Sequence, residues 1–196
     1  GYSDFIFCIG YKGNLIKEAV LKINSDMQVS FSDAGVEAGI LERLFVARDL
    51  FEDFVLMSYG DNFTDLNLGK FIEAHQNSGN EVTIVTAPIQ NPFGLVEFDS
   101  SFKATYMAEK PILNYYIGYA IVNKTAFDLV PRKVISMSDG AGLITFFKIL
   151  ISMEKLGVYN HSGLQITFNT KEELKAAEKK LIRFYTTLES RENNEK

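Results

Sequence analysis

In the stretch FVLMSYGDNFTD, residues 54–65, an apolar run ends at Tyr59, Gly60 breaks it, and Asp61 sets a carboxylate at the mouth of what reads as a buried strand. In doubly wound sheets, ligands bind beyond the carboxyl ends of the strands. A carboxylate at such an edge suits a hard divalent cation such as Mg²⁺, held together with substrate phosphates. Gly60 permits a sharp turn and leaves room for a ligand. The same spacing fits a loop residue that merely caps the next helix, and spacing alone leaves both readings open. Glu109 and Lys110 stand side by side before Pro111, a pattern that by itself reads as a solvated strand end. His75 falls on the helix after Asp61 and reads as structural; His161 falls near the expected cleft with no pattern to support it. Cys8, inside DFIFCIG, reads as a small core residue rather than a reactive thiol.

The elements that must position these residues follow from periodicity. Residues 4–10 read as a buried strand and 14–23 as a helix with apolar Leu15, Ile16, Ala19, Val20 and Ile23. A strand over 27–31 and a helix over 36–51 come next. The strand 54–59 is apolar on both faces, as in a covered parallel sheet. A helix over 65–79 has Asp65 as its expected N-cap, and 81–88 is again a strand. Strand and helix alternate four times, which predicts a doubly wound α/β sheet. The second half changes character: 93–111 reads as a hairpin turning at Asp99 and Ser100, and 115–122 as another strand. A long helix over 139–156, short strands within 157–168 and a helix over 170–189 complete the chain. Thr170 and Glu173 form a capping box for that last helix.

With 196 residues, 46% of them hydrophobic and 23% charged, the chain has room for one sizeable α/β domain. The net charge of −5, with both signs interspersed, excludes a nucleic-acid surface, which needs a basic face. No apolar run reaches the ~18 residues of a membrane span, and no signal peptide is evident. One cysteine forms no intramolecular disulfide, so the expected compartment is the cytoplasm. The first residues enter a strand without lead-in, which reads as an N-terminally incomplete domain. An edge strand uncovered in this way favours association with a second copy of the chain.

Taken in order, YGDNFTDLNLGKFIEAHQNSGNEVTIVTAP, FGLVEFD, AEKP and YYIGYAIV resemble the sugar-1-phosphate nucleotidyltransferase family. The likeness covers nearly the whole chain, and DAGVEAGILERLFVARDLFEDFVLMSYGDNFTD is nearest the glucose-1-phosphate cytidylyltransferase branch. Mannose- and heptose-1-phosphate guanylyltransferases are close competitors. The resemblance implies a Rossmann-like, mainly parallel sheet with an inserted antiparallel sugar-binding half. It implies one domain over residues 1–189, followed by a polar tail over 190–196. It also implies transfer of a nucleotidyl group from a nucleoside triphosphate to a sugar 1-phosphate, with Mg²⁺, and release of pyrophosphate. In it Asp61 matches the metal-binding aspartate and Gly94 the glycine whose backbone meets the sugar. Glu109 and Lys110 match the residues that hold sugar hydroxyls and phosphate. Gly118 matches the glycine of an Asn-Ala-Gly or Asn-Gly-Gly segment, and Arg43 an arginine near the nucleotide, a helix-surface salt bridge being the competing reading. Asp61 and Lys110 would carry the catalysis, by charge neutralisation rather than covalent attack.

Three departures stand out. The family's Gly-rich loop of the Gly-x-Gly-Thr-Arg type and its Pro-Lys segment are missing, and they would cradle the triphosphate. Where a second metal aspartate is expected, the sequence has Thr167 and Asn169, so Asn169 is the second metal ligand the pattern offers. The family's asparagine before Gly118 is replaced, with Tyr116 in the segment. Two readings follow: a nucleotidyltransferase with little turnover in the chain as it stands, or a relative that binds sugar phosphate or nucleotide and serves as a regulatory or assembly partner.

Overall fold

The computed structural model describes residues 2–23 and 26–194, with side chains as far as residue 184. In chain order the elements are β1 (Asp4–Ile9), α1 (Gly13–Leu21), β2 (Gln28–Asp33), α2 (Ile40–Ala47), β3 (Phe54–Ser58), β4 (Asn62–Thr64), α3 (Leu68–Ser78) and β5 (Val82–Gln90). Then come β6 (Leu95–Phe98), β7 (Ala104–Ala108), β8 (Ile112–Asn123), α4 (Arg132–Ile135), α5 (Ala141–Ser152), β9 (Leu156–Asn160), β10 (Gln165–Thr167) and α6 (Lys171–Asn194). The result is the expected α/β architecture, mainly parallel at its centre with antiparallel strands added. β1 pairs with β2 in parallel, β3-β8-β5-β9 form a four-stranded sheet, and β4–β10 and β6–β7 are antiparallel pairs. Among the described residues no helix is long and apolar enough to cross a membrane.

The chain gathers into two compact units: Gly1–Leu56 with Glu73–Thr83 and Ala120–Gly157, and Met57–Ile72 with Ile84–Tyr119 and Val158–Lys196. In the first, Leu143, Phe146, Phe147 and Leu150 of α5 recur at helical spacing and are buried, facing Leu41, Leu44 and Phe45 of α2. Gly142 permits the approach, since a Cβ there would lie 2.8 Å from the Val134 carbonyl and 3.4 Å from Leu41 Cβ. Phe127 stacks on Phe146 with planes 7° apart, and Phe45 meets Phe127 edge-on. The buried His75 bridges Thr83 Oγ1 (2.7 Å) and Asn123 Oδ1 (3.0 Å), the structural role expected of it. α2 starts only at Ile40, after a Gly39 whose Cβ would strike the Met137 carbonyl, so the helix expected from residue 36 is shorter.

In the second unit, Phe71 is fully buried against the ring of Tyr159. Apolar runs on β5 and β8 are buried because both strands are interior to the four-stranded order. β3 is an edge strand in that order and is only half-buried, contrary to the two-sided burial expected of it. β1 is likewise mostly exposed, with Ile9 its one buried residue, because β2 is its sole hydrogen-bonded neighbour among the described strands. Cys8 is exposed rather than in the core. Asp65 does not cap α3: Asn67, next to the first turn, accepts from the Lys70 N–H through Oδ1 at 3.0 Å. Thr170 and Glu173 do form the reciprocal box at the start of α6, each bond 3.1 Å. α6 runs on to Asn194, so the expected polar tail from 190 is helical that far; Glu195 and Lys196 lie outside the described residues.

Candidate active site

Asp61 ends the three-residue connection Tyr59–Asp61 between β3 and β4, and the short antiparallel ladder of β4 with β10 fixes its surroundings. Asn62 pairs with Thr167, Phe63 with Ile166 and Thr64 with Gln165. The Phe168 N–H carries the ladder one step further by donating to the Asp61 carbonyl at 3.1 Å. Asn169 follows directly in the chain, its N–H donating to Glu173 Oε2 at 2.6 Å. The rings of Phe63 and Phe168 stack with centroids 6.1 Å apart.

Across the ladder runs a directed chain of hydrogen bonds. Gln165 Nε2 donates to Thr167 Oγ1 (2.9 Å), the Thr167 hydroxyl donates to Asn62 Oδ1, and Asn62 Nδ2 donates to Asp61 Oδ1 (3.3 Å). Each donor polarises the next, and the sequence ends on the carboxylate. Tyr119 adds a bond from its hydroxyl to the Asn62 carbonyl at 2.8 Å. Asp61 Oδ2 and the Asn169 side-chain amide have no hydrogen-bond partner among the described residues. A carboxylate oxygen left open in this way suits a hard cation that keeps most of its water and draws its other ligands from phosphates. Sequence reading missed Asn62 and Tyr119; Asn62 takes its role from Thr167, 105 positions on, and Tyr119 from Asn62, 57 positions back.

Gly118 has φ +79°, and a Cβ there would lie 2.6 Å from Asn62 Nδ2 and 2.8 Å from Tyr59 Cδ2. Glycine is therefore required twice over, by conformation and by space. It lets Tyr59 and Asn62 close over the strand that carries it. Tyr116 sits beside Tyr59 with rings edge-to-face at 6.0 Å and its hydroxyl buried. Burial, then Tyr59, pushes the Tyr116 phenol far up; burial and the Asp61 carboxylate push Tyr59 up, against the effect of the neighbouring Tyr116. Gly60 is not left-handed, and a Cβ on it would meet nothing within 4 Å. The open space expected there is present, while the turn itself does not demand glycine.

At the other end of the hairpin, Gly94 faces Glu109, whose Oε2 would lie 3.6 Å from a Cβ at that glycine. Lys110 Nζ is 4.0 Å from Glu109 Oε1, both side chains exposed. Lys110 adopts φ +45°, a left-handed backbone that costs a non-glycine residue of order 1 kcal/mol. The hairpin turn is the expected one. Asp99 Oδ1 accepts from the Ser101 and Lys103 N–H groups at 2.8 and 3.1 Å. The structure thus brings Gly94, Glu109 and Lys110 together, and separately Asp61, Gly118 and the strand leading to Asn169.

Arg43, in the first unit, makes no salt bridge among the described residues. Its fork donates to the Ile9 carbonyl (2.6 Å) and the Val36 carbonyl (3.0 Å), packed over Gly10. Two of its five N–H groups are used in bracing the end of β1, which leaves the others for any nucleotide contact.

Comparison with known proteins bears on this geometry. Residues 6–130 match the family model described as nucleotidyl transferase. A probable glucose-1-phosphate cytidylyltransferase of Bacillus subtilis (strain 168) is 27% identical over 198 residues, covering 89% of this chain and 76% of that protein. The glucose-1-phosphate cytidylyltransferase of Salmonella typhi is 25% identical over 161 residues, and the match spans 66% of this chain and 61% of that relative. The crystal structure of HddC from Yersinia pseudotuberculosis shares the fold, with a TM-score of 0.67 at 18% identity over 92% of this chain and 80% of that one.

Proposed function

Because the chain belongs to the nucleotidyl transferase family, we propose that it serves the transfer of a nucleotidyl group from a nucleoside triphosphate to a sugar 1-phosphate. A phosphate oxygen of the sugar 1-phosphate attacks the α-phosphorus, the α–β bridging P–O bond breaks, and pyrophosphate leaves with that bond's electrons. The observation that carries the reading is the hydrogen-bond chain Gln165–Thr167–Asn62–Asp61, which aims one carboxylate at an open strand edge. Mg²⁺, bound there, supplies charge neutralisation for the phosphates brought together by the reaction. Asp61 holds it, with Asn169 as a neutral second oxygen. Lys110 takes the sugar phosphate, while Glu109 accepts from sugar hydroxyls and the Gly94 backbone meets the ring. Gly118 contributes by giving Tyr59 and Asn62 their positions. Reaction of this kind needs positioning and charge more than a covalent nucleophile, and positioning alone is worth ~7–11 kcal/mol.

Calorimetry with glucose 1-phosphate, CTP and Mg²⁺ tests this. Binding of glucose 1-phosphate is expected to weaken roughly tenfold or more in Lys110→Ala, since a phosphate loses its charged partner. Asp61→Ala should remove the Mg²⁺ dependence of CTP binding. Identical isotherms for the parent and both variants would overturn the assignment.

A further inference from the structure

His161 and Asp65 are absorbed neither by the cap expected of Asp65 nor by the reaction above, yet they form a close polar pair within the second unit. His161 Nε2 lies 2.9 Å from Asp65 Oδ1 and 3.3 Å from the Leu164 carbonyl. Both partners are acceptors, so Nε2 carries the proton. The imidazole is nearly buried, with 11% of its side chain exposed. Backbone bonds frame the pair: the Asp65 N–H donates to the Leu164 carbonyl at 3.4 Å, and the His161 N–H to the Thr86 carbonyl at 2.7 Å. Gly163 closes the arrangement, because a Cβ there would strike the Asp65 carboxylate and come within 2.6 Å of His161 Cε1.

The location gives the pair its meaning. Asp65 directly follows β4, and His161–Leu164 is the connection from β9 into β10. β4 and β10 are three residues each, and a two-stranded ladder that short is marginal without help. We infer that the His161–Asp65 pair is a clasp that locks the β4–β10 register, and so positions Asp61 and Asn169 for the cation and phosphates. The part concerning cation and phosphates rests on the function proposed above; the clasp itself does not. His161 and Asp65 are positioning residues, touching no substrate. A slip of one residue would move Phe168 off the Asp61 carbonyl and turn Thr167 away from Asn62.

Amide hydrogen exchange and Mn²⁺ binding, followed by its electron paramagnetic resonance signal, test the two parts separately. In His161→Ala the Phe168 amide should exchange roughly tenfold faster, while amides of β5 at residues 84–87 keep the parent's rates. Mn²⁺ affinity should fall by roughly tenfold, the low end of what outer supports of a metal site are worth. His161→Gln, which keeps an N–H donor for Asp65, should restore most of both. Gly163→Ala, which alters no polar group, should loosen Phe168 as His161→Ala does. Should His161→Ala speed exchange everywhere through global loss of stability, the milder Gly163→Ala and His161→Gln decide. Parent-like exchange at Phe168 in His161→Ala, or faster exchange there with Mn²⁺ affinity unchanged, overturns the inference. A parent that binds no Mn²⁺ defeats the reading of Asp61 as a metal ligand, and the exchange data alone then uphold or overturn the clasp.

Discussion

Along α5 of the first unit, Leu143, Phe146 and Leu150 are at most 1% exposed and meet aromatic and aliphatic neighbours, whereas on the β4–β10 ladder of the second unit only Ile166 is buried. The α5 region is held by apolar burial, which is non-directional and scales with area. The ladder is held by hydrogen bonds in fixed order, from Gln165 through Thr167 and Asn62 to Asp61, and by the His161–Asp65 contact. Burial of this kind gives stability without aiming any particular atom. Directed bonds contribute little net stability, ~0.5–1.5 kcal/mol each, but they fix where a carboxylate oxygen points. A carboxylate left open to solvent, as Asp61 Oδ2 is, can be aimed only by the second means.

The largest effect that separates the two regions is one of stability. Phe146→Ala removes a ring that stacks on Phe127 and leaves a void among Leu41, Leu143 and Leu150, so it should cost ~3–5 kcal/mol. Thr167→Val, which keeps the shape and deletes one link of the chain, should cost ~1 kcal/mol. It should nonetheless weaken Mg²⁺-dependent nucleotide binding as Asp61→Ala does, to a smaller degree. Urea unfolding of both variants checks the first half and calorimetry the second. Equal stability losses would erase the distinction between the regions.

What the sequence disclosed follows the same division. Features set by local rules were legible: the strand–helix alternation, the Asp99 turn, the Thr170–Glu173 box and the helical stripe of α5. Their causes lie within a few residues of one another. Asp61 was legible because a Gly-Asp break after an apolar strand is itself a local pattern. What sequence could not give is which strand lies next to which. β1 and β3 read as buried because an apolar run looks alike at a sheet's edge and at its centre. Asp65 was read as a cap because its partner, His161, lies 96 positions further on, while the true cap, Asn67, is two residues away. Gly118 read as the glycine of a substrate-binding family segment, and its demand for φ +79° and for the space filled by Tyr59 appears only with β3 and β8 side by side.

A smaller effect sharpens the account of the ladder by changing charge at the proposed second oxygen. Asn169→Asp should tighten Mg²⁺ binding. Unit charges ~4 Å apart at an effective dielectric of ~20 interact by about 4 kcal/mol, and Mg²⁺ carries twice that charge. Solvent and the cost of bringing two carboxylates together offset much of this, so a gain of roughly tenfold is the expected reading in a Mg²⁺ titration. Titrations that superimpose would place residue 169 outside the cation's shell.

The smallest effect concerns Tyr116, whose buried phenol packs on Tyr59 in the second unit. Its phenol is pushed upward chiefly by burial and then by Tyr59, so the folded protein keeps a proton that the unfolded chain releases above pH ~10. With more protons bound in the native state, stability falls as pH rises. The contribution is therefore complete below pH ~10 and is lost progressively above it. Tyr116→Phe removes both the hydroxyl's interaction with Tyr59 and this dependence. At pH 8 the parent should be the more stable by ~1 kcal/mol, the worth of one polar contact. The gap should shrink between pH 10 and 11, where the unfolded parent gains stability by ionising Tyr116 and the unfolded variant does not. Urea unfolding at pH 8, 10 and 11 measures it, the other tyrosines being common to both proteins. A difference that stays constant across that range would mean that position 116 ionises alike in the folded and unfolded chains, and that its hydroxyl is open to water after all.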